Sequence, residues 1–147
     1  MTYPYLKFYV EENARWPELC GIEISHKWAD KALAALIERF IPGEKVSLCF
    51  GTATRSKVSL ANENGIFLAY GADWLTLAHE FGHVIEFRWF GESVHADRLR
   101  RIINRNCEFL VPLKWHERDL SEQFDAFLLE GITLECFEGL EKVKNRD

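Results

Sequence analysis

The chain has no long apolar run, no C-x-x-C pair, no basic cluster and no low-complexity stretch. Each absence excludes something. Without the roughly 18–20 apolar residues that cross a bilayer, a membrane-spanning helix is not expected. The start, "MTYPYLKFYVEENARWPELC", lacks the basic and then continuously apolar segments of a signal peptide. A soluble, cytoplasmic protein is therefore the expectation. Cys20, Cys49, Cys107 and Cys136 are too widely spaced for a thiolate metal cluster. They read as small core residues, with a disulfide open in an oxidising or hyperthermophilic cell. The 18 Lys and Arg are spread along the chain and the net charge is -5, which argues against nucleic acid as the main partner. With no linker, repeat or composition shift, residues 1–147 read as one domain.

What is present is a large apolar complement. Hydrophobic residues make up 48% and aromatics 14%, enough for a folded core. Residues 25–40, "SHKWADKALAALIERF", place Ala29, Leu33, Leu36, Ile37 and Phe40 on one helical face, and Pro42-Gly43 stops that helix. In "KVSLCF", Val46, Leu48 and Phe50 alternate as a half-buried strand does. A second alternating run, 58–60, leads through "NENG" into "IFLAYG", with Asn64-Gly65 as the turn of a hairpin. Asp73 caps a helix over 74–90 that Gly91 ends, apolar nearly all round and therefore central. Two further helices are expected over 93–104 and 119–138. The order predicts an α+β domain: a small antiparallel sheet packed on a first helix, the central helix, and two C-terminal helices.

The central helix carries the chemistry, in "LAHEFGHVIEF". Residues four apart on a helix share a face. His79 and His83 can therefore both aim an imidazole nitrogen at one point about 2 Å away, the Zn–N distance. Glu80 projects beside that point, where it can take a proton from a metal-bound water. This is the mechanical content of H-E-x-x-H. Gly82 removes a side chain, so another element can approach closely. One ion would satisfy polar groups that the apolar strip otherwise leaves without partners.

A catalytic zinc site takes a third protein ligand and keeps its fourth position open. Glu86 is a poor candidate, because it lies on the same helix. His95 opens the following helical segment, with eleven residues separating it from His83. Glu122 lies in "LSEQFDAFLLEG", where Leu120, Phe124, Phe127, Leu128 and Gly131 make the expected core stripe and Glu122 falls opposite it. Periodicity alone leaves the choice between His95 and Glu122 open.

"LAHEFGHVIEF" followed by "SEQFDAF" resembles the gluzincin class of zinc metallopeptidases. The nearest likenesses are the lethal-factor-like and Pro-Pro endopeptidases and the ImmA/IrrE-type peptidases. The resemblance spans roughly 65–131 and implies a zincin-like domain. It implies Zn2+ held by His79, His83 and Glu122, with Glu80 as general base on a peptide or protein substrate. "HADRLRRIIN" from His95 is similar to the corresponding element of SprT-like proteases, which implies His95 as the third ligand and a DNA-associated protease. A non-catalytic or latent zincin-fold binding protein is the other alternative. His116, Trp115 and Tyr70 are oxyanion donors by residue type, although a surface histidine and core aromatics are the plainer reading of them. In zincins the strand before the active helix is often the sheet edge that pairs with substrate, which would be 65–70 here.

Overall fold

The computed structural model describes residues 5–52 and 58–131. In chain order the elements are α1 (Leu6–Arg15), α2 (His26–Phe40), β1 (Ser47–Phe50), β2 (Leu60–Ala61), β3 (Gly65–Leu68), α3 (Trp74–Phe90), α4 (Asp97–Leu113) and α5 (Trp115–Gly131). The α+β class expected from the sequence is the one observed.

Helix α3 forms where local signals place it. The Asp73 carboxylate accepts hydrogen bonds from the Thr76 amide (2.7 Å) and hydroxyl (2.6 Å), satisfying donors that the first turn leaves open. Gly91, at φ 79°, closes the other end by donating to the Phe87 carbonyl at 2.8 Å. Eleven of its residues are buried, on all sides. Helix α4 covers one side. Around Gly82 the two helices meet so closely that an added Cβ would lie 2.8 Å from Ile103 Cγ1 and 3.4 Å from Leu99 Cδ1. The close approach that Gly82 allows is thus to α4. Helix α2, capped by Ser25, buries Trp28, Ala29, Ala32, Leu33 and Leu36 against the same core.

The sheet departs from expectation. Its order is β1-β3-β2, with β3 parallel to β1 and antiparallel to β2. The hairpin between β2 and β3 is as expected, with Asn62 Oδ1 accepting from the amides of Asn64 and Gly65. After that turn β3 enters between β2 and β1, so the sheet is mixed. Alternation reports which face a residue takes, not which strand lies next to it. Consequently β3 is the central strand, and the sheet edges are β1 and β2.

The helices also differ from expectation. Helix α1 precedes the helix expected to be first. Helix α4 runs to Leu113, well past the expected 104, and Lys114, at φ 58°, turns the chain directly into α5. Helix α5 packs by a polar face. Asp119 is buried and accepts from the Ser25 amide (3.0 Å) and from Trp74 Nε1 (2.9 Å), while Gln123 donates to Asp119 and to the Glu23 carbonyl. The stripe Leu120, Phe124, Phe127 and Leu128, expected to be core, is exposed among the described residues. Of the cysteines, Cys107 is core, Cys20 is half-buried and Cys49 is exposed; all three are free thiols. Cys136 and the expected helical stretch beyond 131 lie outside the described residues.

Candidate metal centre

His79 and His83 stand one turn apart on α3, and their Nε2 atoms are 3.2 Å from each other. The segment between α3 and α4 brings in His95, whose Nε2 is 3.2 Å from both. These three are the one group of metal-ligating side chains that converges among the described residues. The spacing fits an ion. Tetrahedral ligation at about 2.0 Å requires ligand nitrogens about 3.3 Å apart.

The outer nitrogens fix the rings. The buried Glu12 carboxylate receives His79 Nδ1 at 2.9 and 3.1 Å, so Nδ1 carries the proton and the Nε2 lone pair points inward. His83 Nδ1 meets Ser93 Oγ at 2.6 Å. Burial, then the neighbouring His79 and His95, pushes the His83 pKa down to about 3. Burial and His79 lower that of His95 too, against an opposing pull from Glu86. Neutral imidazoles with converging lone pairs repel one another unless a cation lies among them, and they are the form that ligates. Imidazole donors of this kind suit zinc, copper, iron or nickel.

Glu80 is buried and does not join the histidines. It lines a cleft of about 370 Å³ with Tyr9, Val58, Ser59, Tyr70, Ala72 and Thr76. Burial raises its pKa to about 7, with His79 opposing and Glu12 adding to the rise. A carboxyl poised near neutrality beside a three-histidine cluster suits proton transfer.

Glu122 lies elsewhere. Its carboxylate, on the exposed side of α5, accepts from Trp28 Nε1 at 2.7 Å and from Lys27 Nζ at 3.4 Å. These contacts, Trp28 foremost, hold its pKa below the usual carboxylate range. Asp119 ties α5 to Trp74, at the start of α3, whereas His79 lies about 7–8 Å further along that helix. The structure therefore puts His95, not Glu122, beside His79 and His83. Of the oxyanion candidates, Tyr70 lines the Glu80 cleft. His116 packs edge-on against Trp74 and Trp115 lies against Trp28, both away from the histidines. The expected substrate strand is not an edge, since β3 is paired on both sides.

Two residues outside the H-E-x-x-H pattern support the histidines. Glu12 left one faint signal: it sits at helical spacing between Phe8 and Trp16, a carboxylate where the buried face wants an apolar group. Glu86, a poor ligand candidate because it lies on the same helix, is fully buried. Its oxygens accept from the Val94 amide (2.9 Å) and from Arg98 Nε (2.9 Å), which pins the segment holding Ser93 and His95. Glu86→Ala removes both charge-assisted bonds and should destabilise the fold by about 3 kcal/mol. It should also weaken metal binding about 10–100-fold by loosening His95. Thermal unfolding and a metal titration of the same variant would check both effects.

Compared with protein-family models, curated proteins and solved structures, the chain matches none.

Proposed function

We propose that the protein is a zinc-dependent peptidase whose metal is held by His79, His83 and His95 and whose general base is Glu80. The observation that carries this reading is the convergence of three Nε2 atoms at 3.2 Å beside a buried carboxylate that opens on a cleft. A divalent ion in that place supplies Lewis acidity, polarising a carbonyl and making water more acidic. The protein groups do the rest. Glu12 and Ser93 hold two rings in register, and Glu86 holds the segment that carries the third. The Glu80 carboxylate accepts a proton from the attacking water and returns it to the leaving amine nitrogen. Tyr70, on the wall of the same cleft, is the donor assigned to the developing oxyanion. The substrate is an extended peptide or unfolded protein segment lying along the cleft past Val58 and Ser59. A cytoplasmic setting goes with this reading, and the free thiols of Cys20, Cys49 and Cys107 are consistent with it.

The test is metal-dependent hydrolysis of an unstructured peptide library. Chelation should abolish cleavage, and one equivalent of Zn2+ should restore it. A protein that binds one metal ion and cleaves no peptide would instead favour a non-catalytic binding role.

A further inference from the structure

Helix α1 does more at this site than supply Glu12. Tyr9, half-buried, stacks on the His79 ring at 5.0 Å and 21° and lies against His95 at 5.4 Å. Its hydroxyl is 3.2 Å from His95 Nε2, the same separation that the three imidazole nitrogens keep from one another. The phenol oxygen therefore stands within a tetrahedral edge length of one of the three ligand atoms. The helix is well held there. Glu11 pairs with Arg100 at 2.9 Å, Trp16 Nε1 donates to Asn104 at 2.9 Å, and Phe8 packs edge-on against both His79 and His95.

We propose that Tyr9 is the fourth protein ligand of the metal, so that the arrangement seen here is a closed, latent form of the site. This rests on the three-histidine metal site proposed above. When a divalent ion enters, the Tyr9 O–H bond breaks, the proton passes to solvent, and the phenolate oxygen bonds to the metal. A four-coordinate site with no open position has the character of a structural centre, whereas a catalytic one keeps a place for water. Hydrolysis then requires the Tyr9 side chain to leave the metal, while Glu12 on the same helix keeps its hold on His79.

The test uses the full chain and Cu2+ alone, because a phenolate bound to copper gives a charge-transfer band in the visible that imidazole ligands do not. The band should appear in the wild type at one equivalent of Cu2+. It should persist in Tyr5→Phe, whose ring also lies near His95 (4.6 Å), and vanish in Tyr9→Phe while copper still binds. Tyr9→Phe should also bind Zn2+ about tenfold more weakly. A band that survives in Tyr9→Phe, or stoichiometric copper with no band in the wild type, overturns the Tyr9 assignment and leaves the histidine site standing. A wild type that binds no metal overturns both.

Discussion

Glu80→Gln should lower peptide hydrolysis by about 10²–10⁴-fold, the usual contribution of a positioned general base, while the protein keeps its full complement of metal. The amide fills the same space as the carboxyl but cannot accept the proton of the attacking water. The substitution should not disturb the fold. Burial already holds the Glu80 carboxyl up to about 7, so its charged form gains little from this environment and a neutral group is tolerated there. Metal analysis, thermal unfolding and kcat on one peptide, measured on the same preparation, separate these effects. A variant with unchanged metal and unchanged turnover would remove Glu80 from the reaction. A variant that loses its metal would make Glu80 a ligand, against the geometry that keeps it on the cleft wall.

The second large effect concerns the third ligand. His95→Ala should weaken zinc binding by more than about a hundredfold, beyond the 10–100-fold that loss of a supporting group costs. Glu122→Ala should leave affinity unchanged, because the Glu122 carboxylate is occupied by Trp28 and Lys27 at another place in the fold. Isothermal titration with Zn2+ on the two variants decides the matter. The reverse pattern, with Glu122→Ala losing metal and His95→Ala keeping it, would restore the gluzincin-like ligand set and require α5 to sit differently. The contrast matters for chemistry as well as for bookkeeping of ligands. Three neutral imidazoles leave a metal with its full positive charge, whereas a carboxylate would offset part of it.

The corrections share one physical origin. Helix limits at Asp73 and Gly91 and the shared face of His79 and His83 follow from contacts within one or two turns, so they were legible in the chain. Strand order is different. Whether β3 lies outside or inside β2 depends on a pairing with β1, eighteen residues earlier, and an alternating pattern is the same in either arrangement. Helix α5 misled for a related reason. Its apolar stripe pointed to the wrong inward face, because the buried Asp119, satisfied by Ser25 and Trp74, outweighs periodicity when it finds partners there.

By itself the sequence determined the α3 helix, its caps, and the pairing of His79 with His83 beside Glu80, since i,i+4 geometry is a property of any helix. Only the tertiary structure decided what completes that pair. His95 arrives through a segment pinned by Glu86, and Glu12 and Tyr9 arrive on a helix sixty-seven and seventy residues earlier in the chain. Such contacts depend on packing between distant elements, and no local pattern of residue types encodes them.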